Sequence, residues 1–236
     1  MRNTFTFGNV NSATYGVYIS GSGVFNAPER DYDHKEIPGR NGDLVLGNRR
    51  LRNIDLVYPA FICSGLKNNI SGLESALLSK IGYQRLTDTY NTDEFRLATY
   101  EGGLQANPIR NLHAAEFDLL FKCKPQRFLL SGETKTTITA ASGSISNPTT
   151  FDSKPLITVT GYGTLTVNDM TITIENHFAA LTIDSELGDC YSGSDNANLY
   201  VVFSEDVFPV LKPGNNTIAK SGNITKVEIT PRWWRL

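Results

Sequence analysis

Glu116-Phe117-Asp118-Leu119-Leu120-Phe121-Lys122-Cys123-Lys124 is the stretch on which the fold turns. Side chains along a strand alternate between its two faces. Here Phe117, Leu119, Phe121 and Cys123 fall on one face, and Glu116, Asp118, Lys122 and Lys124 on the other. Leu120 interrupts the polar face, which predicts that part of it is covered as well. A run this long belongs to a sheet packed on a core. The same period of two recurs in Thr4-Phe5-Thr6-Phe7 and from Tyr15 to Ile19, with Gly8, Gly21 and Gly23 ending the runs.

Downstream the composition changes. Up to residue 132 the chain carries 15 Lys+Arg against 13 Asp+Glu, and from 133 onward 7 against 11. Threonine takes over, with 13 between Thr134 and Thr182, and its branched Cβ suits a pleated surface. Leu130-Ser131-Gly132-Glu133 reads as the join, dividing the chain into domains 1–132 and 133–236. In the second, Leu156 to Thr160, Thr164 to Val167, Met170 to Ile174 and Ala180 to Ile183 read as short strands. Asn198 to Phe203, Asn216 to Lys220 and Ile224 to Thr230 follow. Close spacing without helical crossovers predicts an antiparallel β-sandwich, with Val167-Asn168-Asp169-Met170 a tight hairpin joint.

One helix is expected, from the capping box Ser71-Gly72-Leu73-Glu74 through the stripe Leu73, Leu77, Leu78 and Ile81 to a stop at Gly82. Before it lies Asp43-Leu44-Val45-Leu46-Gly47-Asn48-Arg49-Arg50-Leu51-Arg52. Gly47-Asn48 between two apolar runs fits a two-residue hairpin turn, and Arg40, Arg49, Arg50 and Arg52 concentrate positive charge there. In an isolated monomer this is a solvated hairpin; in an assembly it is an arm whose arginines seek a carboxylate-bearing neighbour. Glu94, Glu101, Glu116 and Asp118 are the acids open to that role. At the C-terminus, Pro231-Arg232-Trp233-Trp234-Arg235-Leu236 offers a membrane belt, a sugar-stacking platform or a strand end. On a strand, one of Trp233 and Trp234 enters the core while the other stays at the surface, so the pair reads as structural.

Much chemistry is excluded. The chain has 236 residues and a net charge of −2, with 40% hydrophobic and 10% aromatic residues, enough for a core. That balance argues against a dedicated nucleic-acid binder. No run approaches the ~20 apolar residues of a membrane span, and Met1 to Ser22 contains no apolar signal core. Cys63, Cys123 and Cys190 are odd in number and widely spaced, which favours free thiols over a Cys63–Cys123 bridge and gives zinc no support. The sequons at Asn69, Asn215 and Asn223 read as chance. Ser22 has a glycine on each side but not at the offsets of a nucleophile elbow. Gly161-Tyr162-Gly163 does not continue into a dinucleotide fingerprint. His34, His113 and His177 lie far apart, and Asp184/Glu186 and Glu205/Asp206 read as surface acids. No catalytic, cofactor-binding or metal site is expected.

Two blocks of residues carry a resemblance. The first is Tyr15-Gly16-Val17-Tyr18-Ile19-Ser20-Gly21-Ser22-Gly23, Ala27-Pro28-Glu29-Arg30-Asp31-Tyr32 and Ile37-Pro38-Gly39-Arg40-Asn41-Gly42-Asp43-Leu44. The second is Ile183-Asp184-Ser185-Glu186, Asp189-Cys190-Tyr191, Phe208 to Asn216, Gly222-Asn223-Ile224-Thr225 and Pro231-Arg232-Trp233-Trp234. Together they resemble the distal tail proteins of long, non-contractile-tailed phages and prophages of Gram-positive bacteria.

The resemblance implies an N-terminal β-sandwich with one helix that builds a homo-hexameric ring, and a galectin-like C-terminal β-sandwich projecting outward. It implies a place at the virion tail tip, after assembly in the host cytoplasm. The tail tube protein would lie above, the tail-associated fibre or lysin protein below, and receptor-binding proteins alongside. DNA would pass through the central channel without specific binding, and a near-neutral chain suits such a conduit. The competing reading is a carbohydrate-binding module or adhesin. Against it, the galectin sugar motif H-x-N-x-R is missing, since His177 is followed by Phe178-Ala179-Ala180-Leu181.

Overall fold

The computed structural model describes residues 2–20, 26–109 and 113–236, with backbone alone for Arg49. Gly21, Ser22 and Gly23 of the first sequence block, and the Arg49 side chain, lie outside the described residues. The chain divides into two compact units, one running to Arg127 and including Leu236, the other Phe128–Arg235. Leu130–Glu133, read above as the join, is a 3-10 turn inside the second unit.

The first unit contains β1 (Phe5–Phe7), β2 (Val10–Asn11), β3 (Val17–Ile19), β4 (Arg30–Lys35), β5 (Leu44–Leu51) and β6 (Ile54–Ile62). After these come α1 (Leu66–Leu78), β7 (Gln84–Asp88), β8 (Glu94–Thr99), β9 (Asn107–Ile109) and β10 (Ala114–Leu129), whose last two residues belong to the second unit. Its main sheet has the order β2-β1-β7-β8-β10-β6-β3, with β9 also on β10, while β4 and β5 form a separate two-stranded sheet. The β10 alternation puts Phe117, Leu119, Phe121 and Cys123 in the core, as the pattern demands. Phe121 is the hub of an aromatic cluster, with ring centroids of Phe5, Phe7 and Tyr100 5.3–5.4 Å away and Tyr58 at 6.0 Å. Each such ring pair adds about 0.5–1.5 kcal/mol beyond area burial. Leu120, expected to be partly covered, is 39% exposed.

The helix starts earlier than its capping box. Gly65, left-handed at φ 66°, stands at the N-cap, and Ser71 lies mid-helix with its carbonyl accepting from Ser75 Oγ. The inward stripe is therefore the buried Leu73 and Leu77 with the half-buried Leu66 and Ile70, spaced for one helical face. The helix ends at Leu78, before Ile81 could join the stripe, and Ile81 is 92% exposed. Gly82 is left-handed but lies beyond the end. Tyr15 likewise belongs to a 3-10 turn, Ser12–Tyr15, rather than to β3.

The second unit comprises β11 (Thr136–Ile138), β12 (Ser142–Asn147), β13 (Leu156–Val167), β14 (Met170–Asp184) and β15 (Asp189–Ser192). It continues with β16 (Asp195–Asn196), β17 (Val201–Phe203), β18 (Gly214–Gly222), β19 (Lys226–Thr230) and β20 (Trp234–Arg235). Strands expected as separate pieces are merged: Leu156–Thr160 and Thr164–Val167 are both β13, and Met170–Ile174 and Ala180–Ile183 are both β14. The glycine-bearing gap Gly161–Gly163 is a bulge, not a break. Gly161 and Gly163 sit with their α-carbons against the carbonyls of Asn223 and Ser221, where any side chain would collide. The β13–β14 joint is the expected tight turn, with Asn168 at φ 55°. Ile157, Val159, Leu165, Ile172, Leu181, Ile183, Val227 and Ile229 fill the core.

Mainly β with one α-helix is thus the fold class among the described residues. All three cysteines are free, Cys63 exposed and Cys123 and Cys190 buried.

Candidate functional site

Two features of the sequence ask for a role: the arginine-bearing arm and the C-terminal tryptophans. The arm is the β4–β5 sheet. Its base is closed by the Arg52 amide on the Glu29 carbonyl at 2.9 Å and by Asn26 Nδ2 on the Asp55 carbonyl at 2.7 Å.

The turn of this hairpin is not Gly47-Asn48. Both residues are inside β5, and Gly47 pairs with Tyr32 across the sheet. The chain reverses between Lys35 and Leu44, where Gly39 and Gly42 take φ of 79° and 80°, a region that glycine enters without steric cost. Gly47 serves another purpose: a Cβ there would stand 2.8 Å from Tyr32 Cε1, so its bare α-carbon makes room for the ring. Asn48 and Arg52 are also occupied within the arm. The ladder is irregular between Arg30 and Tyr32, and Asp31 at this bulge collects Asn48 Nδ2 at 2.7 Å and Arg52 Nε and Nη2 at 3.0 and 2.9 Å. The Asn48 hydrogen bond, then the Arg52 guanidinium, hold the Asp31 carboxyl below the usual carboxylate range. Asp31 was missed in the sequence because only the bulge brings it opposite Asn48 and Arg52.

Arg40, near the tip, and Arg50, near the base, are exposed and have no side-chain hydrogen bond or ion pair among the described residues. Between them Leu44, Val45 and Leu46 stand 40–50% exposed, with Tyr32 on the facing strand similar. A two-stranded sheet with neither face covered is marginal by itself, and a run of exposed aliphatic side chains marks a contact surface.

The four candidate acids separate cleanly. Glu94 is buried and its Oε1 lies 3.2 Å from Arg127 Nη1. Glu101 takes Lys122 Nζ at 2.8 Å. Glu116 and Asp118 project from the outer face of β10 without partners among the described residues and line a groove of about 580 Å³ with Pro59, Phe61, Gln105 and Asn107.

At the C-terminus each residue from Pro231 to Trp234 has its own anchor in the second unit. The Pro231 carbonyl accepts from Ser153 Oγ at 2.7 Å. Arg232, at the unusual φ of 58°, forks onto the buried Asp184 carboxylate at 2.6 and 3.0 Å. Trp233 is in the core, and its backbone presses on Gly132, where no side chain would fit. Trp234 stacks on Phe151 at 4.4 Å and 19°, and its Nε1 donates to the Asp152 carbonyl at 2.9 Å. One tryptophan enters the core and the other covers a neighbouring ring.

Among the described residues no three His, Cys, Asp or Glu side chains are grouped to hold a metal ion. Burial pushes the Cys123 and Cys190 thiols up to about 12, so both are protonated and unreactive at neutral pH. Asp184, weighed above as half of a carboxylate pair with Glu186, is committed to Arg232.

No family model and no curated protein matches the sequence. Among solved structures, the Dit (gp 19.1) protein of phage SPP1 aligns over 100% of both chains, with a TM-score of 0.74 and 14% identity. That structure is described as a paradigm of the hub adsorption apparatus in phages infecting Gram-positive bacteria. A chain of the phage P2 baseplate in its activated conformation with Ca aligns over 97% of this chain and 98% of its own, at 10% identity and a TM-score of 0.47. At that score the likeness carries no weight.

Proposed function

We propose that this chain, which has the Dit fold from end to end, is a structural virion protein: the hub at the distal end of a phage tail. Six copies close into a ring between the tail tube and the tail tip. The first unit, a β-sandwich with one helix, builds the ring. The second, a galectin-like sandwich, projects outward to dock tip components, the fibre or lysin protein and receptor-binding proteins among them. DNA crosses the central channel without specific contacts. The chain works by assembly rather than by catalysis.

The full-length correspondence with SPP1 Dit carries this reading, because it spans both units rather than one common sandwich. The arm supports it independently. A two-stranded projection with uncovered apolar side chains stays soluble and ordered when a neighbour covers it, and a closed ring supplies that neighbour through a heterologous contact. Arg40, Gly47, Asn48, Arg49, Arg50 and Arg52 all belong to this element. Arg40 and Arg50 make contacts with the neighbour, whereas Gly47, Asn48 and Arg52 keep the arm in shape. Trp233 and Trp234 hold the second unit together.

Negative-stain electron microscopy of the purified full chain tests the proposal. Six-fold rings with an open centre are expected. Fields of isolated particles of single-chain size, at concentrations where the protein is otherwise folded, would overturn it.

A further inference from the structure

We infer that one end of the second unit is a docking face for a basic segment of another protein: the exposed aliphatic side chains of Leu187, Leu199 and Val207, flanked by unpaired carboxylates, fit a partner that presents apolar anchors between lysines or arginines. The inference rests on the hub reading above for the partner's source, a tail-tip component, and adds the surface it meets and the chemistry it carries.

Three loops meet at this end. The turn between β14 and β15 carries Leu187, the 3-10 turn Asn198–Tyr200 carries Leu199, and the loop after β17 carries Val207. Leu187 and Leu199 are 71 and 88% exposed, and Tyr200, Val202 and Val207 about half. Asn198 ties the first two loops together: its Nδ2 donates to Asp189 Oδ1 at 2.7 Å, and its Oδ1 accepts from the Cys190 amide at 2.8 Å. Phe208 brings in the third. A Cβ at Gly188 would stand 3.8 Å from its ring, whose centroid is 4.8 Å from that of Phe203. One exposed leucine is ordinary, whereas a group of them on loops anchored side by side marks a contact surface.

Charge decides what covers it. From Pro155 to Leu211 the chain has no lysine or arginine in 57 residues, against eight aspartates and glutamates. Asp184 is taken by Arg232 and Glu186 by Lys154 Nζ at 3.3 Å. Asp195, Glu205 and Asp206 are exposed, without a side-chain hydrogen bond or ion pair among the described residues. Glu205 and Asp206 directly precede Val207, and Asp195 belongs to β16, just before the turn that bears Leu199. Unpaired carboxylates beside an apolar contact draw a cationic partner and turn away an anionic one. Nucleic acid and anionic lipid surfaces are therefore poor occupants. The complement is a protein segment with apolar anchors and positive charge on either side.

Fluorescence anisotropy on the full chain tests the face with three labelled synthetic peptides: one alternating leucine and lysine, one leucine and glutamate, one serine and lysine. The leucine–lysine peptide binds roughly tenfold or more tighter than the other two, and its binding weakens as salt rises. Leu187→Ser with Leu199→Ser, and separately Glu205→Lys with Asp206→Lys, each weaken it by roughly tenfold or more. All four sites are exposed, so each variant keeps its fold, checked by thermal melting. Equal binding of the two lysine peptides, or binding indifferent to the leucine pair, reduces the effect to net charge and overturns the inference. Light scattering on the same variants separates another occupant: a fall in molar mass assigns the face to a second copy of this chain and overturns it as well. Peptide binding does not need the ring, so a monomeric wild-type chain that still selects the leucine–lysine peptide overturns the hub reading and leaves this face standing. If either pair of substitutions lowers the melting point, Glu205→Gln with Asp206→Asn weakens binding in the same direction by a smaller factor, and no weakening refutes the inference.

Discussion

Replacing Arg232 by Met should destabilise the second unit by about 2–3 kcal/mol at neutral pH. The Asp184 side chain is only 4% exposed and that of Arg232 30%. Breaking a fully buried pair costs about 3–5 kcal/mol and an exposed pair about 0–1, so this half-covered pair falls between. Methionine keeps the apolar stem and removes the cation. Asp184 then retains only the amides of Glu186 and Leu187, at 3.0 and 3.2 Å.

Burial by itself would raise the Asp184 carboxyl. The Arg232 fork and the Leu187 and Glu186 amides outweigh it and hold the group below its ordinary value. A carboxyl depressed in the folded state contributes stability that is present above its unfolded pKa and lost as pH falls through the folded one. In Arg232→Met the desolvation dominates and the carboxyl rises, so the penalty is largest at pH 7 and narrows towards pH 4. The chain has two tryptophans, Trp233 and Trp234; both belong to this unit, so urea unfolding followed by tryptophan fluorescence reports on it alone. The thermal midpoint should drop by about 10–20 °C for a unit of this size. A loss below about 0.5 kcal/mol would refute the reasoning. An equal loss at both pH values would assign the effect to packing of the stem.

Trp233→Ala should cost about 3–5 kcal/mol in the same unfolding experiment, and deleting Pro231 to Leu236 at least as much; a truncated chain with an unchanged midpoint would make this segment a docking surface instead. Gly132→Ala should destabilise the second unit although it adds one methyl, since the Trp233 backbone fills the space, and an unchanged melting curve contradicts this. A fragment beginning at Phe128 should melt cooperatively and bind nothing on a glycan array; a molten fragment refutes its independence, and micromolar binding to a defined glycan favours the adhesin reading.

The long-period features of this fold were legible in its sequence, and the local ones less so. The β10 alternation shows the buried face directly, because each side chain meets the same core. The neighbouring β8 does the reverse: Glu94 and Arg96 turn inward while Phe95 lies half-covered beneath the Arg85 guanidinium, 4.0 Å from its ring centroid. Desolvation lowers the pKa of buried Arg96, a cost that no period-two rule anticipates. Gly47-Asn48 has the composition of a turn, yet Gly39 and Gly42 bear the positive φ angles, and only the facing Tyr32 explains the glycine at 47. The helix start was hidden because Gly65 can cap by its backbone geometry without a side-chain signal. For the candidate site, the arm and its free arginines were visible as charge. Of the four acids weighed as partners, Glu94 and Glu101 dropped out only once burial and pairing were visible. Asp184 and Arg232 are 48 residues apart, a separation across which spacing says nothing.

The molar mass of the full chain in solution, by light scattering across a range of concentrations, tests the central claim most directly. A ring of six 26.0 kDa chains has a mass of about 156 kDa, and this is the species that the proposed ring predicts at the upper concentrations. A constant 26.0 kDa at every concentration, with the protein folded, would contradict it.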